Sequence, residues 1–377
     1  MYIEEVTNIS INNTNDIEAV DLQPFDFSKL NAISACPFYG IVRHVLNKNF
    51  QTNERSMALE CGALCHQCFA LYRALSIWDR GIEEDKIKLV KIAENYITKL
   101  FMEVIPDITP EQALSFVTEC KIESDKCTTK LAKYTVFSNF LIDNSGYYED
   151  PDDKKRTVVN IKDSLLQYCS QFLDLVQNEP VWIEDENNID SRIGIEIGFD
   201  TVLCIKFIAN GYENEQKIRF VGKVDGLHYR KQDGSLIIHE NKTTSRIDES
   251  WVGQWYKSHQ ITGYCIFAQY FTGRDCNQAR VLGMQIPQPK YSGVGYRTER
   301  VDRDWSYFED WARWVLTTYN IVEEYKNDPV VAPMNTHNCC KFYRQCNFLP
   351  LCVQNKEQRA ETINDEMVID EWNPLDE

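Results

Sequence analysis

Residues 217–264 constrain the fold most: KIRFVGKVDGLHYRKQDGSLIIHENKTT, followed by SRIDESWVGQWYKSHQITGY. Two apolar-rich runs flank Asp233-Gly234, and such a pair between strand-like segments is the strongest short-range hairpin signal. A two-residue loop there sets Gln232 against Ser235 and, counting back, Asp225 opposite Lys242. Side chains alternate across a strand, so Glu240 shares the face of Lys242 and lies diagonal to Asp225. Two carboxylates and one ammonium then converge.

Carboxylates near the middle of an apolar strand pair need partners, because buried charge is costly unless paired or metal-bound. Asp225 and Glu240 offer the hard oxygen ligands that suit Mg²⁺ or Mn²⁺, and the backbone carbonyl of Asn241 is a further ligand candidate. Lys242 would stand beside the metal, placed to orient a water or to stabilise charge developing on a phosphate. The same three residues also fit an exposed hairpin with a surface Lys–Glu pair, an interaction worth little.

Asp225 followed by Glu240-Asn241-Lys242 at the end of the apolar run LIIH resembles the D…(D/E)xK core of the PD-(D/E)XK nuclease superfamily, with Val224 in place of the name-giving proline. Gln260 and Tyr264 match the QxxxY motif of RecB-like and CRISPR-associated exonucleases, and at i and i+4 they share one helical face. Gly62 and His66 match the GxxxH of the first helix in that group. The resemblance implies a restriction-endonuclease-like α/β (α+β) fold, a mixed central sheet flanked by helices with a large helical insertion. It further implies that Asp225 and Glu240 bind the metal with help from His66, that Lys242 positions the attacking water, and that Gln260 and Tyr264 hold the DNA backbone or the lysine. The activity implied is metal-dependent hydrolysis of DNA, as an exonuclease on free ends or single strands, with a recombination or helicase protein as a further partner. An inactive DNA-end-binding or recombination protein is the alternative. Glu196, on a strand where many RecB-like sequences carry a Glu, is a further acidic neighbour or a solvent-facing residue.

Cysteines form the second signal. Cys339, Cys340, Cys346 and Cys352 fall within PMNTHNCCKFYRQCNFLPLC, a turn-rich context that disfavours helical core packing. Disulfides conflict with the reducing compartment expected below, so metal ligation is favoured. Zinc would accept three of these thiolates with Cys36 or His337. One cysteine near the start, in SKLNAISACPFYG, and three near the end resemble the split arrangement of iron–sulfur RecB-like nucleases. That resemblance implies a structural [4Fe-4S] cluster on Cys36, Cys346, Cys352 and one of Cys339 and Cys340, with phage-type members nearest because Tyr343 stands where a CxxC would put a cysteine. Cys61, Cys65 and Cys68 have the CxxxCxxC spacing of radical-SAM enzymes, but helix formers surround them, and that motif needs a loop.

The net charge of −17 opposes bulk attraction to nucleic acid. The acidic residues are partly segregated into the 356–377 tail, and a local basic set, Lys257, Lys290, Arg297, Arg300 and Arg303, follows the site. No apolar run reaches membrane-spanning length and the N-terminus lacks a signal-peptide pattern, so a cytoplasmic protein is expected, in the host cytoplasm if phage-encoded. Residues 1–24 read as a loose acidic arm and 25–355 as one nuclease domain. Within that domain 84–190 form the helical insertion and 336–353 a cysteine cluster closing onto Cys36. Strands are expected from Ile193, with Asn210-Gly211 as a turn.

Overall fold

The computed structural model describes residues 3–13, 22–51, 56–288, 295–336 and 346–371. In chain order the elements are β1 (Glu5–Asn13), α1 (Phe27–Ala35), α2 (Pro37–Gly40), β2 (Lys48–Asn49), α3 (Met57–Glu83), α4 (Ile87–Val104), α5 (Pro110–Asp125), α6 (Lys130–Asn144) and α7 (Val158–Val176). There follow β3 (Ile195–Ala209), β4 (Tyr212–Tyr229), β5 (Leu236–Thr244), α8 (Glu249–Tyr256), α9 (His259–Thr272), β6 (Gln278–Gln285), β7 (Tyr296–Asp302), α10 (Trp305–Tyr325), α11 (Leu349–Cys352), α12 (Lys356–Glu361) and β8 (Val368–Ile369). One sheet has the order β1-β3-β4-β5-β6-β7, and β2 pairs with β8 in a separate ribbon. The β5–β6 pair is parallel and is joined through α8 and α9, whereas β1–β3, β4–β5 and β6–β7 are antiparallel. The fold is therefore the mixed α/β sheet flanked by helices that the sequence implies.

Contacts divide the chain into two compact units, whereas the sequence suggests one domain over 25–355. One comprises Met1–Glu54, Gly198–Lys223 and Trp305–Glu377; the other comprises Arg55–Ile197 and Val224–Asp304. Each gathers pieces distant in sequence, which no local shift in composition marks. In the first unit, residues 5–13 are not part of a loose arm but form β1 against β3, burying Val6 and Ile11 and half-burying Ile9. The acidic tail is likewise structured as far as residue 371: β8 pairs with β2, and Arg43 holds Asp370 at 2.9 Å. Residues 372–377 lie outside the described residues.

In the second unit the expected helical insertion is α4 to α7. Leu89, Ile92, Ala93, Ile97, Leu100 and Phe101 recur at helical spacing on α4 and are buried, so this amphipathic face closes a core with α3. Thr109 and Thr157 cap α5 and α7 through their side chains. The turn at Asn210-Gly211 forms as expected, with φ of 52° and 76°, the two positive values a tight primed turn requires.

The second hairpin differs from expectation. Gly234 has φ of 70°, but Asp233 is absent from the left-handed residues, so a two-residue primed turn cannot form there. Asp233 instead accepts from Ser235 N–H at 3.0 Å, and Arg230 N–H donates to Ser235 O at 2.9 Å, closing a four-residue loop. The register becomes Gly226↔His239 and Tyr229↔Leu236, and extended by one step it sets Asp225 level with Glu240 rather than with Lys242. A slip of two residues preserves the faces, so the carboxylates still converge.

Candidate metal centre

The second unit supplies every residue of this site. α3 carries His66, the start of β3 carries Glu196, β4 carries Asp225, β5 carries Glu240, Asn241 and Lys242, and α9 carries Gln260 and Tyr264. The chain reaches β3 through a close approach: a Cβ on Gly194 would fall 2.0 Å from Leu227 O. Two residues later Glu196 has φ of 47°, left-handed backbone that a non-glycine residue adopts only where the surroundings impose it. That kink places Glu196 with His66 and Asp225, and one ligand atom from each lies within 4.8 Å of the others. His66 Nδ1 is 3.5 Å from Asp225 Oδ2.

Glu240 is 1% exposed. Its Oε1 lies 2.6 Å from Lys242 Nζ, and its Oε2 is buried with no hydrogen-bond partner among the described residues. A buried carboxylate oxygen left so carries a desolvation cost that a cation would relieve. Lys242 Nζ also lies 5.9 Å from the Trp255 ring centroid. Burial alone would raise the Asp225 pKa, but His66, Lys242 and Arg73 outweigh it and hold the carboxyl far below its usual range. Burial and then the Asp225 charge push Glu240 up to about 7. Burial would lower Lys242, yet Glu240 and Asp225 win and raise it; the same contest between burial and Asp225 raises His66. Two carboxylates with opposed shifts, one ammonium and one imidazole suit a hard divalent cation.

The sequence-expected residues are thus brought together with two changes. Glu196, an open choice in the sequence, joins the group of close ligand atoms, whereas Glu240 turns toward Lys242. Asn241, whose carbonyl the sequence offers as a further ligand, donates its own backbone N–H to Asp225 Oδ2 at 2.7 Å. Gln260 Nε2 donates to the Tyr264 hydroxyl at 2.9 Å, with Tyr264 buried near both carboxylates. Of the basic set, Lys257 is exposed, and the arginines are engaged with neighbours. Arg303 is buried and donates to Trp255 O and Thr262 Oγ1, Arg297 pairs with Glu299 and Glu249, Arg300 pairs with Asp302, and Lys290 lies outside the described residues. Cys61, Cys65 and Cys68 lie within continuous helix α3 and are buried, as helix-formers on both sides imply.

Sequence reasoning missed Arg73, Tyr168, Glu179, His228 and His239, which form a buried polar layer beside the metal centre, and the half-buried Arg280 that closes it. Arg73 falls seven positions after His66 and so on the same face of α3, the one signal that could have found it. In the first unit, Cys36, Cys346 and Cys352 pack against one apolar cluster that includes Phe38, Phe348 and Leu351. Asn335 N–H donates to Cys36 Sγ at 3.4 Å. His337, Cys339 and Cys340 lie outside the described residues. No helix among the described residues is long and apolar enough to cross a membrane. No protein-family model matches the chain, and no curated protein matches it either.

Proposed function

We propose that this chain is a divalent-metal-dependent deoxyribonuclease of the PD-(D/E)XK type that acts on DNA ends or single strands. The observation that carries the reading is Asp225 level with Glu240 across one hairpin, Lys242 on Glu240, and His66 and Glu196 alongside. His66, Glu196, Asp225 and Glu240 would hold Mg²⁺ or Mn²⁺. The ion supplies a bound water of lowered pKa and neutralises phosphate charge. Because its neighbouring carboxylates keep Lys242 protonated, its ammonium serves as a hydrogen-bond donor to the attacking water or to a phosphate oxygen, and not as a general base. Tyr264, held by Gln260, walls the site on the α9 side and can donate its hydroxyl hydrogen to the DNA backbone.

The thiols of Cys36, Cys346 and Cys352 would hold a structural [4Fe-4S] cluster, or zinc, with Cys339 or Cys340. Such a clasp joins segments more than 300 residues apart in sequence, a closure that removes entropy from the unfolded chain. Metal analysis and the visible absorbance of anaerobically purified protein separate iron–sulfur from zinc. End-labelled single-stranded DNA, double-stranded DNA and RNA, incubated with Mg²⁺ or Mn²⁺, test the activity. Metal-dependent loss of the DNA label supports it; binding of DNA ends without cleavage under every metal tested replaces it with the inactive end-binding reading.

A further inference from the structure

Arg73 is fully buried, and its immediate partners are all neutral. Its Nε donates to His228 Nε2 at 3.2 Å and its Nη2 to His239 O at 3.4 Å. The His228 ring accepts there, so its other nitrogen donates to Glu179 O at 2.7 Å, and burial keeps the ring uncharged. In the amide orientation that its neighbours dictate, Asn241 donates to the Tyr168 hydroxyl at 2.7 Å, and its oxygen accepts from Arg73 Nη1 at 3.0 Å and Nη2 at 2.9 Å. Glu179, the other buried carboxylate of this layer, is already occupied: Arg280 Nε donates to it at 2.7 Å and His239 Nε2 at 2.8 Å. Glu179 is thus answered by Arg280, while Asp225, whose nearest cation is His66, feels Arg73 only at longer range. A buried cation without direct contact to its counter-charge is costly, and apolar side chains of that volume would pack as well. Its geometry has a use, however. The guanidinium lies against Gly226, where an added Cβ would fall 2.4 Å from Nε, and Gly226 directly follows Asp225. It also grips both sides of the amide oxygen of Asn241, whose backbone N–H holds Asp225 Oδ2 at 2.7 Å.

We infer that Arg73 is a positioning residue for the metal centre: by clamping Asn241 over Gly226 it fixes the Asp225 carboxylate in the orientation that receives the cation. This rests on the metal-site reading above. Groups that orient a metal's ligands typically govern affinity by 10–100-fold.

The test is Mn²⁺ affinity by titration calorimetry on the full chain, with thermal unfolding followed in parallel. Arg73→Met and Asn241→Ala should each weaken Mn²⁺ binding by at least about tenfold. The double variant should be no weaker than the worse single one, since both act on one carboxylate. Arg73→Lys, which keeps the charge but loses the two-pronged grip, should recover part of the loss. Wild-type affinity in Arg73→Met overturns the inference while leaving the metal site intact, as do losses that add in the double variant. Should Arg73→Met fail to fold, Arg73→Lys and Asn241→Ala decide, because wild-type affinity in both is the contrary result. Absence of Mn²⁺ binding by the wild-type chain overturns the inference together with the metal-site reading.

Discussion

Lys242 Nζ lies 2.6 Å from one oxygen of Glu240, while the other oxygen of that carboxylate is buried without a hydrogen-bond partner among the described residues. The ammonium therefore does not satisfy the carboxylate. It leaves one lone-pair-bearing oxygen for something with positive charge, at a position where Asp225 contributes a second negative charge.

Removing the lysine should thus separate binding from chemistry. In Lys242→Ala, Mn²⁺ affinity should stay the same or rise, because a competing cation is gone, whereas the rate of DNA cleavage should fall by at least about a hundredfold. Calorimetry and single-turnover cleavage on the same preparation check both halves. Parental cleavage would remove Lys242 from the mechanism.

The Glu240 shift sets a pH dependence for metal loading. With its carboxyl raised from 4.5 to about 7, Glu240 is protonated in the folded, metal-free chain below neutrality and must lose that proton to bind. His66, whose pKa Asp225 raises above its ordinary value, must also give up a proton to bind, so apparent Mn²⁺ affinity should fall as pH drops below about 7 by more than the roughly tenfold per pH unit that a single proton gives. In Glu240→Gln the remaining affinity should be lower and the slope across that range should fall toward the roughly tenfold per unit that His66 alone gives. Titrations at half-unit pH steps measure this.

Glu179 should matter for stability apart from metal. It holds Arg280 and His239, and although burial opposes it those two partners draw its carboxyl from 4.5 down to about 2. A depressed carboxyl contributes stability that is present above the unfolded value near 4.5 and is lost as pH falls through 2. Glu179→Ala should cost roughly 3 kcal/mol at neutral pH, by analogy with other broken buried pairs. Urea unfolding at pH 7 and pH 3 should show the difference between wild type and variant shrinking in acid.

Gly226 has no room for a side chain, since an added Cβ would meet Arg73 Nε at 2.4 Å and Cζ at 2.7 Å. Gly226→Ala should displace the guanidinium and lower the melting temperature by several degrees, a shift consistent with roughly 1–3 kcal/mol of overpacking in a chain of this size. Gly253→Ala, where nothing lies within 4 Å of an added Cβ, is the control that should leave stability near wild type.

What the sequence made legible follows from how local each signal is. The run LIIH before Glu240 and the Asn210-Gly211 pair act through their immediate neighbours, so both strands and the β3–β4 turn are readable from composition and spacing. The second turn departs from the Asp-Gly rule because Asp233 bonds Ser235 and Arg230 instead of adopting positive φ, a choice made by side chains that a dipeptide rule ignores. Asp225, Glu240 and Lys242 survived that error because the slip was even. Glu196 could not be ranked from sequence, since its orientation depends on the press of Gly194 against Leu227 O in β4. Arg73 and Glu179 belong to a layer assembled from α3, the segment after α7, and β4 to β6, and no short motif encodes a contact among five separate stretches. β1 escaped notice because its alternation buries few residues beneath asparagines that read as linker.

The most direct test is crystallographic: anomalous scattering from Mn²⁺ soaked into crystals of the full chain. A peak within about 2.5 Å of carboxylate oxygens from both Asp225 and Glu240, with His66 or Glu196 also in contact, is the predicted result. Strong Mn²⁺ peaks located only elsewhere, with Asp225 still on His66 and Glu240 still on Lys242, would contradict the account.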